Sequence, residues 1–161
     1  MDKHFSLIDS FKCAFKGVFF VICHERNMRI HIVAALYAAF FSVFYEFSKA
    51  EIAILVITCG LVMILEVINT AIEVIVDKVS PKYSPLAKIA KDAAAGAVLI
   101  SALTAVIVGI VLFFDIDRFK IILAYFSEWS NLLLFLGFTL IGVVFITSGK
   151  KRNIKGKTNN D

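Results

Sequence analysis

Four polar side chains recur at helical spacing within an otherwise apolar stretch of the sequence. Glu66, Asn69, Glu73 and Asp77 are separated by three, four and four residues. At about 100° per residue, they lie within roughly 60° of one another on one face of a helix. Carboxylates on a membrane helix are costly in lipid, so this face must contact protein, water or a cation.

Depth in the membrane separates the roles of these groups. If the hydrocarbon begins near Ile52, about 20 residues bring the helix to the opposite border near residues 71–72. Glu73 and Asp77 then lie at or beyond that border, whereas Glu66 lies roughly 8–10 Å inside it at ~1.5 Å per residue. A carboxylate at that depth could accept a proton from a lipid hydroxyl.

Charged residues from two other segments reach the same border. Lys91 and Asp92 directly precede a later apolar span, and Glu25 precedes the first. Glu25 and Glu73 could share Mg²⁺, which prefers oxygen ligands and substrate phosphates. Lys91 could neutralise nucleotide phosphates, and phosphoryl transfer needs mainly such positioning and charge neutralisation. The pattern suits a reaction between a water-soluble anion and a lipid head group.

Spacing alone leaves other interpretations open. The polar stripe on this helix is equally compatible with a structural helix–helix contact, an ion path or an enzyme site. Glu25 and Arg29, at i and i+4, could form a simple surface ion pair of little energetic value. His31 is expected to be an interfacial residue rather than a metal ligand.

The composition is that of a membrane protein. Of 161 residues, 60% are hydrophobic and the mean hydropathy is +0.86, whereas soluble domains have about 45–50% apolar residues. With their flanks, four apolar stretches reach the ~20 residues that a helix needs to cross a bilayer. The predicted spans are 30–45, 52–77, 93–114 and 131–147. The predicted fold class is therefore all-α, a polytopic membrane helical bundle.

An amphipathic helix is predicted before the first span, over residues 5–23. Apolar residues recur there at helical spacing, and charged residues fall on the other side. The apolar face comprises Ile8, Phe11, Phe15, Val18 and Ile22, and the charged side Asp9, Lys12 and Lys16. This pattern is typical of a helix lying on the membrane surface. The alternative is a continuous extension of the first span.

The basic residues predict the orientation. The N-terminal segment, the loop between the second and third spans, and the tail carry 14 Lys and Arg residues, whereas the opposite loops carry only Lys49, Arg118 and Lys120. Basic segments stay in the cytoplasm, so both termini and the candidate site are predicted there. Membrane orientation explains the net charge of +4 without a nucleic-acid partner. Three scattered cysteines suggest neither disulfides nor a zinc site.

Three sequence blocks resemble the prokaryotic diacylglycerol kinase family. The run EVINTAIEVIVDKV (66–79) is similar to its signature, roughly E-x-x-N-[ST]-[AS]-x-E-x-x-x-D. The run PLAKIAKDAAAGAVLI (85–100) resembles its second block, and HERNMRIH (24–31) resembles the first block of the undecaprenol kinase branch. The resemblance covers about residues 10–114.

The resemblance implies an ATP- and Mg²⁺-dependent kinase of a membrane lipid alcohol in the bacterial cell membrane. Undecaprenol is the first choice of substrate and diacylglycerol the second. The resemblance further implies a homotrimer with shared active sites. It makes Glu66 the general base and Glu25 and Glu73 the metal ligands. The implied nucleotide-binding residues are Glu25, Asn69, Glu73, Asp77, Lys82, Tyr83, Ser84, Lys91 and Asp92.

The domain prediction follows from these blocks. Residues 1–114 form the kinase domain, 115–148 an extra loop and a fourth transmembrane helix, and 149–161 a basic, disordered tail. Ser84 and Pro85 fit the N-cap and first position of the third membrane helix.

The chain also departs from the family pattern. Ser6 falls near the position of a substrate-contacting arginine, and Cys13 takes the place of an aromatic nucleotide contact, so the contacts of the surface helix stay open. The extension at 115–161 is expected to act as an added anchor or packing helix. The alternative functions are a small cation- or proton-coupled transporter that uses the acidic stripe, and a structural subunit of a larger complex.

Overall fold

Residues 6–149 of the chain are described by the computed structural model, and within them the protein is built from six α-helices. The predicted all-α class is therefore confirmed. The helices are α1 (Leu7–His24), α2 (Arg26–Ser42), α3 (Lys49–Val79), α4 (Pro85–Phe113), α5 (Ile116–Ser127) and α6 (Trp129–Thr147).

The N-terminal helix α1 is separate from α2. A capping box starts it: Ser6 Oγ accepts from the Asp9 amide at 3.2 Å, and the Asp9 carboxylate accepts from the Ser6 amide at 3.3 Å. Glu25 has an extended backbone (φ −99°, ψ 119°) and divides the two helices. The continuous-extension alternative is therefore wrong. Phe11 and Phe15 on the apolar face are exposed, as expected for a helix that contacts lipid.

Three helices among the described residues are long and apolar enough to cross a membrane: α3, α4 and α6. They contain the predicted spans 52–77, 131–147 and all but the last residue of 93–114. The predicted span 30–45 is not confirmed at that length. It falls on α2, whose 17 residues extend about 25 Å at 1.5 Å per residue. Residues 43–45 follow as i→i+3 turns, which tighten the chain before α3.

The two longest helices, α3 and α4, form an antiparallel hairpin that carries most of the polar cluster. Ser84 Oγ accepts from the Ala87 amide at 3.4 Å, and Pro85 is the first residue of α4. The predicted start of this helix is therefore confirmed. Ser48 and Glu51 form a second capping box at the start of α3.

The C-terminal helix α6 runs antiparallel to α2. Arg29 contacts Ile146, Val33 lies against Gly142, and the Tyr37 hydroxyl donates to Thr139 Oγ1 at 2.7 Å. Residue numbers thus rise along α2 as they fall along α6. The two helices lie side by side over most of the length of α2, so α2 shares the depth of a membrane-spanning helix.

The predicted loop after residue 114 is largely the helix α5. Its start is fixed by Asp115, whose Oδ1 accepts from the amides of Asp117 and Arg118 at 2.9 and 3.1 Å, as an N-cap does. The loop prediction was wrong because the segment is short and mixes charged with aromatic residues. The predicted tail lies, after Gly149, outside the described residues.

Candidate active site

The most deeply buried polar side chain among the described residues is Glu66. It is 1% exposed, and among those residues no group donates a hydrogen bond to its Oε2. Asn69 Oδ1, one turn along α3, is also buried without such a donor. Burying an unsatisfied carboxylate oxygen is unfavourable. Such a group needs an explanation, for example a catalytic role or a bound water or ion.

Glu66 and Asn69 face a small cavity, here called the deep cavity. It has a volume of about 220 Å³ and is bounded by α2, α3 and α4. Its polar lining is completed by Asn27 and His31 of α2, while its α4 wall consists of small and aliphatic residues. A cavity with a carboxylate at one side and apolar walls at the other suits a hydroxyl attached to a hydrocarbon chain.

The other predicted carboxylates surround Glu66. Asn69 Nδ2 donates to Glu73 Oε1 at 3.4 Å, which links the deep cavity to the next turn of α3. Glu25, at the α1–α2 junction, and Glu73 are both close enough for their negative charges to act on Glu66. Three carboxylates in one region repel one another, and cationic partners offset that repulsion.

The arrangement does not form a complete metal cage by itself. Among residues 6–149, no group of three or more His, Cys, Asp or Glu side chains is placed to hold a metal ion. Mg²⁺ does not require such a cage, since proteins commonly bind it through one or two carboxylates with water and substrate phosphates. Glu25 and Glu73 fit that kind of site.

A second cavity, the border cavity, lies at the turn between α3 and α4. It has a volume of about 370 Å³. Lys91 Nζ forms an ion pair with Asp77 Oδ1 at 2.9 Å across this turn. Three lysines, two aspartates and an exposed tyrosine line it, so the cavity carries charges of both signs beside an aromatic ring. Six of the predicted nucleotide-binding residues line this cavity: Asp77, Lys82, Tyr83, Ser84, Lys91 and Asp92.

The predicted site residues therefore fall into two groups joined by one residue. Glu66 and Asn69 line the deep cavity, Asp77 and its neighbours line the border cavity, and Glu73 lies between them on α3. Glu66 and Asp77 are eleven residues apart, about 16 Å along the helix. A substrate that touches both cavities must be extended, as a nucleotide with its phosphate chain is.

Two contributions were missed from the sequence. Asn27 and His31, four residues apart on one face of α2, line the deep cavity; that spacing was the available signal. Arg29 was interpreted as half of a surface ion pair, but it is only 5% exposed. Its guanidinium instead donates to backbone carbonyls of α1 and α6.

Comparison with known proteins identifies the family. Residues 12–113 match the model of prokaryotic diacylglycerol kinase. The chain belongs to this family. The match ends at the last residue of α4, so α5 and α6 lie beyond it. The family resemblance of the three sequence blocks is thereby confirmed.

Curated relatives carry two kinds of name. A diacylglycerol kinase of Synechocystis sp. is 45% identical over 105 residues, which cover 65% of this chain and 60% of the relative. The undecaprenol kinase of Bacillus subtilis is 40% identical over 104 residues, which cover 65% of this chain and 85% of the relative. The diacylglycerol kinase of Escherichia coli is 34% identical over 94 residues, which cover 58% of this chain and 77% of the relative. The chain thus spans less than two thirds of the cyanobacterial relative.

These matches identify a membrane-embedded member of a lipid kinase family. The names of these relatives are those of lipid kinases, in agreement with what the family resemblance implied. The transporter alternative is not supported by any of these relatives.

Proposed function

We propose that the protein transfers the γ-phosphate of ATP to the hydroxyl of undecaprenol, with diacylglycerol as the second candidate. The observation that carries this choice is a series of largely apolar cavities that starts beside Glu66 and follows the length of α4. It is formed by three cavities in series, and the last of them is built partly by α5 and α6.

The cavities share their lining residues. The deep cavity shares His31 and Ala102 with a middle cavity of about 240 Å³ between α2, α3 and α4. The middle cavity shares Ala38, Gly109 and Phe113 with an outer cavity of about 500 Å³. The outer cavity is lined largely by aromatic residues of α2, α5 and α6. Together the three form one apolar lane.

The length of this lane favours a lipid substrate with one long hydrocarbon chain. Between Ala95 in the deep cavity and Phe113 in the outer cavity, α4 advances by 18 residues, about 27 Å. The hydrocarbon core is about 30 Å thick, so the tails of a diacylglycerol end near its middle at about 15 Å. The chain of undecaprenol is longer than one leaflet, and it would fill the whole lane.

The residues at the lane's inner end supply the chemistry. Glu66 accepts the proton of the lipid hydroxyl, whose oxygen forms a bond to the γ-phosphorus as the bond to the β-phosphate oxygen breaks and ADP leaves. Glu25 and Glu73 would hold Mg²⁺, which neutralises phosphate charge when it is bound. Lys91, oriented by Asp77, holds the phosphates at the border, and Tyr83 with Lys82 and Ser84 covers the nucleotide.

A homotrimer with shared active sites is part of the proposal. It is supported by an apolar seam on α3 whose members are all exposed in the single chain. They recur every three and four residues, so they form one continuous stripe along α3 against which a helix of another subunit can pack. The seam comprises Ile54, Ile57, Leu61, Ile64, Ile68, Ala71 and Ile75.

The proposed topology places the active site and both termini in the cytoplasm of a bacterial cell. It requires α2 to cross the bilayer together with α3, α4 and α6. The pairing of α2 with α6 over most of its length supports that crossing, since a helix at the low end of the spanning range can cross when its flanks complete the path.

A lipid-panel kinase assay tests the proposal. The full chain in nanodiscs would receive ATP and Mg²⁺ with undecaprenol, a short-chain prenol or diacylglycerol. We expect kcat/KM to be highest for undecaprenol and lower for the short prenol, which cannot reach the outer cavity. Preference for diacylglycerol would overturn the choice of lipid. Failure on all three by a folded, nucleotide-binding protein would overturn the enzymatic proposal.

A further inference from the structure

One buried arginine connects three helices near the candidate site. Arg29 lies in the first turn of α2. Its Nε donates to the Ile146 carbonyl of α6 at 3.1 Å, and its Nη1 donates to the Ile22 and Cys23 carbonyls of α1 at 3.0 and 3.2 Å. The family match ends before α6, so this connection joins the family region to the added helix.

The acceptors explain why arginine occupies this position. All three carbonyls belong to the last turns of their helices, where backbone oxygens lack partners within the helix. These ends also carry partial negative charge, which a cation stabilises. The rigid fork of a guanidinium can donate to two helices at once, whereas the single ammonium of lysine offers no such fork. Arg29 thus donates hydrogen bonds to the C-terminal ends of both α1 and α6.

The packing around the guanidinium leaves little freedom. Arg29 is 5% exposed, and a Cβ built on Gly149 would overlap its guanidinium. Gly149, two residues after the end of α6, is therefore the residue whose lack of a side chain permits the contact. By contrast, a Cβ on Gly137 of the same helix would meet nothing within 4 Å.

We propose that Arg29 is a positioning residue through which α6 fixes the α1–α2 junction, and with it the carboxylate of Glu25. The carbonyls of Ile22 and Cys23 lie two and three residues before Glu25, whose own amide donates to Val21 at 2.8 Å. Hydrogen bonds from the Glu25 amide and from the Arg29 side chain thus both tie the junction to the end of α1. This inference rests on the proposed role of Glu25 as a metal ligand. It makes α6 part of the framework of the active site rather than a simple anchor.

Two variants separate this positioning role from general stability. Arg29→Lys keeps the positive charge but loses the planar guanidinium that donates to two helices. Gly149→Ala keeps the arginine but adds a methyl group that displaces its guanidinium. Removing a group that orients a metal ligand typically weakens metal binding about 10- to 100-fold. We expect both variants to raise the midpoint for Mg²⁺-dependent ATP binding within that range. Gly137→Ala is the matched control and should match the wild type.

The experiment combines two measurements on the full chain, neither of which needs lipid turnover. Fluorescence titration with an ATP analogue at varied Mg²⁺ gives the binding midpoint. Site-resolved alkylation reports the contact itself, because Cys23 lines the cavity between α1 and α6 beside Arg29 and Gly149. Alkylation of Cys23 should be several-fold faster in both variants, with Cys13 and Cys59 as internal references.

The outcomes distinguish the two proposals. Unchanged Cys23 alkylation in both variants would overturn the contact. Faster alkylation with an unchanged Mg²⁺ midpoint would overturn the positioning of Glu25. A wild type that binds Mg²⁺–ATP but phosphorylates no lipid would refute the proposed function while leaving this inference intact. A wild type that binds no Mg²⁺–ATP would refute both the proposed function and the link to Glu25.

Discussion

Replacing Glu66 by glutamine tests the role of the carboxylate that is fully buried within α3. The substitution keeps the volume and removes the base. A positioned general base contributes about 10²- to 10⁴-fold to the rate, which corresponds to roughly 3–5 kcal/mol of barrier. We therefore expect kcat with undecaprenol to fall by at least about 100-fold. Mg²⁺–ATP binding should persist, because Glu73, Asp77 and Lys91 are untouched.

Stability should move in the other direction from activity. Glu66 is 1% exposed and lies near the charges of Glu25 and Glu73, so neutralising it removes both a desolvation cost and a like-charge repulsion. The thermal midpoint of Glu66→Gln should equal or exceed that of the wild type. Lower activity with a lower midpoint would instead indicate a structural role.

The assay measures initial rates in nanodiscs beside a matched control. Glu51→Gln makes the same chemical change in the first turn of α3, about four turns away from Glu66, where Glu51 belongs to the capping box with Ser48. It should keep the wild-type rate, since an amide oxygen can still accept the Ser48 hydrogen bonds. If Glu66→Gln retains more than about a tenth of the rate, Glu66 is not the general base.

Three further predictions concern the metal ligand, the lane and the seam. Glu73→Gln should raise the KM for Mg²⁺–ATP about 10-fold or more, as expected for loss of a carboxylate ligand, with the KM for lipid unchanged; equal effects on both would contradict the metal role. Gly109→Leu narrows the lane where its middle and outer cavities meet. In the same lipid assay it should raise the KM for undecaprenol and leave the KM for a short prenol unchanged. In a background with the native cysteines replaced by serine, Ile64→Cys on the exposed seam should form intersubunit disulfides. Ile107→Cys, exposed on α4, should not, and crosslinking at both positions or at neither would refute packing through the seam.

Local spacing was sufficient to predict which polar side chains share one face of α3 and where α4 begins. The separations among Glu66, Asn69, Glu73 and Asp77 fixed one helix face, and the Ser84–Pro85 pair fixed the start of α4. Each of these inferences depends only on residues within a few turns of one another. The structure accordingly groups Asp77 with Lys91 and Ser84 around one cavity.

The features that were missed depend on distant partners or on weak local signals. The Arg29 acceptor on α6 is 117 residues away, so no spacing rule could identify it. The end of α2 was predicted too late, because residues 43–45 are apolar and yet form tight turns. For α5, the deciding signal was Asp115 as an N-cap, which resembled an ordinary loop aspartate in the sequence.

The contact made by Arg29 has a consequence for how the C-terminal helix can evolve. All three of its acceptors are main-chain oxygens, which every amino acid provides. The three hydrogen bonds themselves therefore do not require particular side chains at Ile22, Cys23 and Ile146. Selection on this contact would act most directly on the arginine and Gly149. Homologues with dissimilar C-terminal helices could then share the same attachment of that helix to the catalytic region.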